Sequence, residues 1–452
     1  MSSIDTDTSS SPKPALPLPP PILSLTEGTW AYDTMSRRVD SEILERTYTE
    51  NKSEFDSPEF ATAFKQFQSL RNELQNAKTT TLSNLDVSMG GIAGDEEDWE
   101  AILHPYVTNN DTYLSAPWLV TEFYVYRRLL EALGYWKKTN DDGSPSVTYQ
   151  WDPFDKQKRA GLVSSPSSAE NVMSRLETLP STKEGVALAA AFALWGNKMD
   201  LSIWPVSTKD DGEKEDIFSS VLQSAADNLL HDDTDTLTSH CDTLRLKNDG
   251  KGGIVDIIVD NAGFELVMDL ALADHLVASG IAKTVTFQLK SHPTFVSDAM
   301  EKDLLETIDY YANLDEKQYP FCKKAGSRWK SYIENQQWIC HEDNFWVQPG
   351  AMWEMPQKLR TDMNKRCDLA FVKGDANYRR LLGDRMWDYS EATFQDVVGA
   401  YFPCPVCALR TLKAEIGCGM KHDQVERAKN LDDNWMVNGR FGVVHFGSGA
   451  AN

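Results

Sequence analysis

Two acidic clusters in the second half of the chain combine residue types that bind hard cations. Asp260 and Asn261 follow the apolar run 254–259, and Asp298 closes the polar segment 290–298. A carboxylate and an amide oxygen are ligands that suit Mg²⁺ or Mn²⁺. An Asp–Asn pair serves equally well as an Asx-type turn that caps the next helix, and Asp298 alone would serve as a solvated acid at a helix start. The residue types therefore leave metal binding and helix capping open.

A third cluster concentrates cations in an otherwise acidic chain. The segment 373–380 reads Lys-Gly-Asp-Ala-Asn-Tyr-Arg-Arg. Lysine and arginine beside a helix start favour a phosphate cradle, since an arginine can bind two oxygens at once. A glycine turn followed by a charged helix face would explain the same letters. Nearer the C-terminus, Arg410 and Lys413 stand three residues apart, which would place them on one face if the segment were helical.

These clusters need a scaffold that brings them together, and the apolar patterns predict one. Short apolar runs at 254–259, 284–289 and 367–372 predict buried strands, and the apolar stretch 264–278 predicts a helix after the first of them. Strands that alternate with helices favour a parallel α/β sheet. Such sheets bind ligands beyond the carboxyl ends of their strands, where the acidic clusters and segment 373–380 stand.

Composition divides the chain into three parts. The predicted parts are a disordered Pro- and Ser-rich tail (1–25), a mainly α-helical domain (26–250) and an α/β domain (251–452) that contains the candidate metal- and phosphate-binding clusters. The tail is too polar and too rich in proline to offset its ordering entropy. Within the helical domain, polar surface insertions are expected near 137–170 and 205–217.

Two local features of the helical domain are specific enough to check. Residues 218–230 are predicted to be helical. Ser181 and Glu184 stand three apart before an apolar stretch, which predicts a capping box for a helix that runs to Trp195.

The overall charge limits the partners. Against 45 Lys and Arg, 68 Asp and Glu give a net charge of −23 in 452 residues, a field that repels phosphate backbones and anionic membranes. The apolar stretch 185–195 is shorter than the roughly 20 residues that cross a bilayer. We therefore expect neither a nucleic acid nor a membrane partner. The N-terminus shows no signal or transit pattern, so we expect a cytoplasmic location, with the nucleus as a further compartment.

Taken together, the motifs resemble one family. The segments that carry the resemblance are Asp-Asn-Ala-Gly-Phe-Glu (260–265), Phe-Val-Ser-Asp (295–298), Lys-Gly-Asp-Ala-Asn-Tyr-Arg (373–379) and Arg-Thr-Leu-Lys (410–413). In this order they resemble the damage-control phosphatases, also called the acidic-residue methyltransferase family. The Arg-Thr-x-Lys motif is similar to that of the sugar-phosphate subfamily. The chain departs from the pattern in the tail, in the insertion 137–170 and near Arg38, where Asp40 and Ser41 replace an expected proline.

The resemblance implies a fold and a set of site residues. The implied fold is a Rossmann-like three-layer α/β/α domain with a mostly parallel sheet, joined to an N-terminal helical domain. A divalent cation, Mn²⁺, Mg²⁺, Co²⁺ or Ni²⁺, would be held by Asp260, Asn261 and Asp298, which would also be the catalytic residues. The residues implied to bind substrate are Glu122, Asn197, Asp200, Lys290, Lys373, Asp375, Asn377, Tyr378, Arg379, Arg410 and Lys413.

The implied activity is metal-dependent hydrolysis of small phosphorylated metabolites, sugar phosphates such as fructose 1-phosphate and fructose 6-phosphate. The family name also implies an alternative, a protein carboxyl O-methyltransferase that uses S-adenosylmethionine, and a non-catalytic helical scaffold is a third reading. The carboxylates and cations favour hydrolysis, and no Gly-rich nucleotide turn follows the predicted strands. The sequence leaves the oligomeric state open.

The cysteines offer a competing metal site. Cys404, Cys407, Cys418 and His422 have a spacing that could bind zinc, but the Arg-Thr-x-Lys motif would then lie inside the zinc loop. Seven scattered cysteines are better explained as reduced thiols. His292, next to the acidic cluster, would be a ligand, a base or a hydrogen-bonded structural residue.

Overall fold

The computed structural model describes residues 12–140, 142–179, 181–196 and 226–450. Strands β1 to β7 are Leu229–Asp232, Gly253–Ile258, Ala282–Lys290, Trp338–Asp343, Leu369–Lys373, Val406–Thr411 and Gly442–Gly447. The α-helices are Trp30–Asp33, Glu45–Glu50, Lys52–Phe55, Ala61–Gln75, Val87–Gly90, Glu96–Thr108, Trp118–Leu133, Asp155–Ser164, Pro166–Leu176, Lys183–Trp195, Thr234–Leu244, Lys247–Gly250, Phe264–Ala278, Glu301–Ala312, Pro320–Glu334, Gln357–Arg366, Asp375–Leu381 and His422–Leu431. Thr34–Leu44 and Gln395–Gly399 are π-helices, and Pro58–Phe60, Asn344–Val347 and Met352–Glu354 are 3₁₀ turns.

The strands form one seven-stranded sheet in the order β1-β7-β6-β5-β2-β3-β4. All neighbouring strands pair in parallel except β6 and β7, which are antiparallel. The three strands predicted from the apolar runs are β2, β3 and β5, and the predicted helix 264–278 is present with those bounds. After β4 the chain returns to the other side of β2 to form β5. The carboxyl ends of β2 and β5 therefore flank a topological switch point, where open α/β sheets bind their ligands.

Alternating side chains of the strands supply two hydrophobic cores, one on each face of the sheet. In β2, Val255 and Ile257 join a core with the helices 264–278 and 320–334, whereas Ile258 faces the other way. That second core also contains the helix 118–133. The fold is therefore the expected three-layer α/β/α arrangement with a mostly parallel sheet, and N-terminal helices form part of one layer.

The described part of the predicted tail is attached to the body of the protein. Ala15 N donates to Asp396 O at 2.8 Å, and Ile22 N donates to Asp384 O at 2.9 Å. Trp118 N in turn donates to Ile22 O at 2.8 Å, and Ser24 is fully buried. The prediction of disorder was therefore wrong for residues 12–25, because their backbone groups form hydrogen bonds with distant segments that composition does not reveal. Residues 1–11 lie outside the described part.

Other local predictions need correction. Leu229 and Leu230, predicted to end a helix, belong to β1, which pairs with the distant strand β7. The predicted insertion 137–170 contains the helix Asp155–Ser164 and the first turn of the next one, because apolar residues such as Ala169 are buried there. Insertion 205–217 lies outside the described residues.

The capping box was also misplaced. The helix that ends at Trp195 begins after Thr182, not Ser181, and a hydrogen bond from Thr182 lowers the pKa of Glu184. Of the helices that the structure describes, none has the length and apolarity needed to cross a bilayer.

Candidate active site

A cavity of about 250 Å³ opens at the switch point and gathers residues from six segments of the chain. Its lining residues are Trp30, Thr34, Arg38, Ile43, Trp118, Glu122, Asp260, Asn261, Phe295, Ser297, Asp298, Asp375, Ala376, Arg379 and Lys413. Seven of the residues named from the sequence are among them: Glu122, Asp260, Asn261, Asp298, Asp375, Arg379 and Lys413.

Asp260 occupies the centre of the switch point, two residues beyond β2. Asp260 can occupy this position because the neighbouring residue, Gly374 directly after β5, has no side chain. Gly374 has φ +82°, and a Cβ there would lie 1.9 Å from Asp260 Oδ2. Only glycine tolerates both the left-handed backbone and the contact. The glycine after β5 therefore fixes where the carboxylate after β2 can lie.

A strained turn positions Asp298. Phe295 and Val296 both have positive φ, +47° and +67°, and a β-branched residue rarely adopts this conformation. The Phe295 ring holds the turn by packing at 5.0 Å from Tyr126. The turn brings residue 298 into a β-bridge with Asn261. Strain of this kind persists only where the surrounding packing enforces it, and it is concentrated at functional sites.

Hydrogen bonds join the acidic residues into one cluster. Asn261 Nδ2 donates to Asp260 Oδ2 at 2.9 Å and to Glu265 Oε2 at 3.0 Å. Ser297 Oγ donates to Asn261 Oδ1 at 2.6 Å. Sequence reasoning quoted Glu265 only within a motif and gave it no role, although it adds a third carboxylate beside Asp260.

The electrostatics of this cluster favour a bound cation. Burial, together with the charges of Asp298 and Glu265, raises the pKa of Asp260 well above its usual range. Burial also raises the pKa of Asp298 to about 6, although Lys290 opposes the shift. Two carboxylates that are destabilised as anions become stable when a divalent cation lies between them.

The residues present fit such a cation. Asp298 Oδ2 is buried and lies 3.2 Å from Lys290 Nζ, yet within the described residues it accepts no aligned hydrogen bond. Asn261 Oδ1 keeps a second lone pair beside its bond from Ser297. Two carboxylates and an amide are a hard oxygen set, which suits Mg²⁺ or Mn²⁺ completed by water. Across the described ranges, no group of three or more His, Cys, Asp or Glu side chains is arranged for a metal, so the fit depends on this mixed set.

Asp375 and Lys413 line another part of the same cavity. Asp375 Oδ1 accepts bonds from Arg410 Nε at 2.7 Å and from the backbone N–H of Lys413 at 3.0 Å. Burial opposes the charge on Lys413, but Glu265, Asp260 and Asp375 outweigh it and raise the pKa of the lysine. Lys413 therefore carries a positive charge into an acidic cavity.

Arg410 has a different position from the one its spacing suggested. β6 ends at Thr411, so Arg410 and Lys413 do not share a helix face. Arg410 is fully buried, and its Nη atoms donate to Ile416 O at 2.6 Å and Ala414 O at 3.0 Å. It does not line the cavity but holds Asp375 and the loop that carries Lys413.

Arg379 lines the cavity with its charge already compensated. Asp384 accepts bonds from Arg379 Nε at 2.8 Å and Nη2 at 3.1 Å, and Glu122 accepts one from Nη1 at 2.6 Å. Its guanidinium also stacks 3.6 Å from the centre of the Trp118 ring. Burial raises the pKa of Glu122, although Arg379 opposes the shift.

Four more predicted residues do not line the cavity: Lys290, Lys373, Asn377 and Tyr378. Lys373 Nζ pairs with Asp269 at 3.0 Å on the opposite face of the sheet. Asn377 Nδ2 donates to Val259 O at 3.1 Å, and its Oδ1 accepts from Lys290 Nζ at 3.2 Å, which locks three strand ends together. The Tyr378 hydroxyl lies 3.2 Å from His445 Nδ1, and this buried tyrosine does not reach the cavity.

Two further predicted residues, Asn197 and Asp200, lie outside the described part of the chain. The cysteine hypotheses can be checked, because all seven cysteines are described and are unpaired thiols. Cys404, Cys407, Cys418 and His422 do not form a metal cluster. His292 is buried, and burial lowers its pKa to about 4, so it is a neutral structural histidine that does not line the cavity.

Sequence reasoning missed the N-terminal wall of the cavity. Trp30, Thr34, Arg38 and Ile43 line it from the turn 30–33 and the π-helix Thr34–Leu44. Trp30, Thr34 and Arg38 are spaced four apart, so they would share one face of a helix. This spacing could have identified the wall from the sequence. A π-helix of this length is rare, and π-helical turns are common at functional sites.

An open, mostly parallel sheet whose switch point gathers carboxylates and cations defines an α/β protein with a candidate ligand site at the carboxyl ends of its strands. A family model described as the damage-control phosphatase ARMT1-like domain matches residues 34–428. The chain belongs to this family of phosphatases, which confirms the resemblance seen in the motifs.

Several known proteins are similar to this chain. Damage-control phosphatase ARMT1 of Danio rerio is 32% identical over 461 residues, 95% of this chain and 98% of that protein. The protein of the same name from Homo sapiens is 31% identical over 449 residues, 93% of this chain and 96% of that protein. A solved DUF89 family protein from Pyrococcus horikoshii has a TM-score of 0.42 and 16% identity, covering 90% of this chain and 97% of that one. The methyltransferase alternative is not favoured by these matches.

Proposed function

We propose that this protein is a divalent-metal-dependent phosphatase that hydrolyses small phosphorylated metabolites, with sugar phosphates such as fructose 1-phosphate and fructose 6-phosphate as substrates. One observation carries the proposal: a single cavity joins the buried carboxylates Asp260 and Asp298 to the cation Lys413. Carboxylates alone would repel a phosphate dianion, and a cation held between them would reverse that field. We further propose a cytoplasmic location, with the nucleus as a second compartment.

Asp260, Asn261 and Asp298 would hold the cation. When bound, the cation would neutralise phosphoryl oxygens and lower the pKa of bound water. Lys413 and the backbone N–H groups at 375–376 would bind the remaining phosphoryl oxygens, whose charge is high in a loose transition state.

Asp375 has a carboxylate oxygen that can exchange a proton with a ligand. Both bonds to Asp375 from described residues end on Oδ1, so Oδ2 is available to a ligand in the cavity. Asp375 can therefore accept a proton from water or return one to the leaving oxygen, as can Asp260 and Asp298. Trp118 and Glu122 line the same cavity and offer an aromatic face and a hydroxyl-binding carboxylate to a sugar.

The test is phosphate release from a panel of sugar phosphates by chelator-stripped protein, with Mg²⁺, Mn²⁺, Co²⁺ or Ni²⁺ added back. We expect metal-restored release in the wild type and its loss in Asp260→Ala and Asp298→Ala. Asp433→Ala, which removes an exposed carboxylate outside the cavity, is the matched control. Full activity without metal, or near-wild-type rates in either cavity variant, would contradict the proposal.

A further inference from the structure

The N-terminal wall of the cavity is fastened to the loop that carries Lys413. The backbone N–H of Trp30 donates to Glu415 Oε2 at 3.0 Å, across 385 residues of sequence. The π-helix Thr34–Leu44 follows directly and places Thr34, Arg38 and Ile43 on the cavity. This wall therefore faces the same cavity as Lys413 does.

Arg38 is the cation of that wall, and its guanidinium is held in place. It stacks 4.0 Å from the centre of the Trp30 ring, and its Nε donates to Glu42 Oε2 at 2.9 Å. In the described part of the chain, that bond to Glu42 is the one hydrogen bond the guanidinium makes. Stacking on an indole fixes the plane of the guanidinium and leaves the terminal Nη groups free to donate.

Two nearby cations, Arg379 in the cavity and Lys290 behind it, are more fully engaged. Arg379 gives three hydrogen bonds to Asp384 and Glu122. Lys290, behind the cavity, is engaged by Asp298 and Asn377. Arg38 therefore keeps more donor capacity than Arg379, the other arginine that lines the cavity.

Arg38 also lies near the proposed cation ligands. The buried hydroxyl of Tyr126 feels three of the cavity charges: its pKa is raised by burial and by Glu122 and Asp298, and lowered by Arg38. Arg38 and Asp298 also line the same cavity. A planar guanidinium at this place can bind two oxygens of a phosphoryl group.

We propose that Arg38 is a substrate-binding residue that contacts the phosphoryl group from the N-terminal wall, together with Lys413 from the loop after β6. This proposal rests on the proposed function, because it concerns the same cavity and the same anionic group.

The test compares Arg38→Ala and Arg38→Lys with two control variants, Arg37→Ala and Glu42→Gln. Arg37 is the exposed neighbour on the same π-helix, where it pairs with Asp33 and Glu42 outside the cavity. Two quantities are measured on each Mn²⁺-loaded protein: the affinity for inorganic phosphate by calorimetry, and kcat/KM for a sugar phosphate.

We expect Arg38→Ala to lower both quantities roughly 10- to 100-fold, the range for a hydrogen bond to a charged group. Arg38→Lys should recover part of the loss, because lysine keeps the charge but not the fork. Arg37→Ala should stay within about twofold of wild type. Glu42→Gln should bind phosphate at least as tightly as wild type, since it removes a competing partner of Arg38.

Three outcomes would overturn the proposal. The first is an unchanged phosphate affinity in Arg38→Ala, and the second is a wild type that binds no phosphate. The third is an equal loss in Glu42→Gln and Arg38→Ala, which would mean that Arg38 only fastens the π-helix. A wild type that binds phosphate but hydrolyses no sugar phosphate would refute the proposed function alone, since the affinity comparison still decides the role of Arg38.

Discussion

Substitution of Gly374 by alanine tests the geometry of the switch point most directly. Two costs are expected. Alanine in the left-handed region is strained by roughly 1–2 kcal/mol. In addition, the new Cβ would lie 1.9 Å from Asp260 Oδ2 and 2.1 Å from its Cγ. To restore an ordinary contact of 3.4 Å, the Asp260 carboxylate must retreat by roughly 1.5 Å.

The chain offers a control that separates the two costs. Gly280, between the helix 264–278 and β3, also has positive φ, +72°, but a Cβ there would meet nothing within 4 Å. Gly280→Ala should therefore incur only the backbone strain. Gly280→Ala should lose roughly 1–2 kcal/mol in the free energy of unfolding, and Gly374→Ala should lose at least as much, because the contact with Asp260 adds to the strain. Only Gly374→Ala should displace a carboxylate that the reaction needs.

A misplacement of about 1 Å at a reacting group can cost roughly 10²-fold in rate. We therefore expect kcat of Gly374→Ala to fall by about that factor, with Gly280→Ala close to wild type. The assay is the initial rate of phosphate release with Mn²⁺, alongside urea unfolding of each protein. Should Gly374→Ala be as active as Gly280→Ala, to within about threefold, then the close approach does not position Asp260 for catalysis.

Two further predictions concern buried residues outside the cavity. Arg410→Gln should lower kcat/KM, although Arg410 does not line the cavity, because Arg410 holds the loop that carries Lys413. For the same reason its effect on kcat/KM should not add to that of Lys413→Ala. Additive losses in a double-mutant cycle would contradict this. Burial raises the pKa of Asp269 to about 7. Between about pH 4 and 7 the native state therefore binds more protons than the unfolded state, so Asp269 lowers the free energy of unfolding as the pH rises. Asp269→Asn should remove that component, at most about 1.4 kcal/mol per pH unit, from the measured pH slope of unfolding; an identical slope in both proteins would refute the shift.

Local sequence was enough to predict the strands that form the centre of the sheet. Strands β2, β3 and β5 are short apolar runs, each followed by polar residues, and a run of this kind is favourable only when both faces are buried. The family motifs lie at these strand ends, so the positions of Asp260, Asp298 and Asp375 around one edge followed from the sequence. The edge strands β1 and β4 and the interior strands β6 and β7 were not predicted, because their pairing depends on partners far along the chain.

Tertiary structure alone decided which of the neighbouring polar residues face the cavity. Lys373 and Asp375 are two residues apart in one motif, yet the end of β5 turns Lys373 towards Asp269 on the opposite face of the sheet, while Asp375 lines the cavity. The N-terminal wall was likewise beyond local reasoning, since the bond between Trp30 and Glu415 joins residues at opposite ends of the chain. Sequence patterns report the periodicity and composition of one segment, whereas contacts of this kind arise only when distant segments pack against each other.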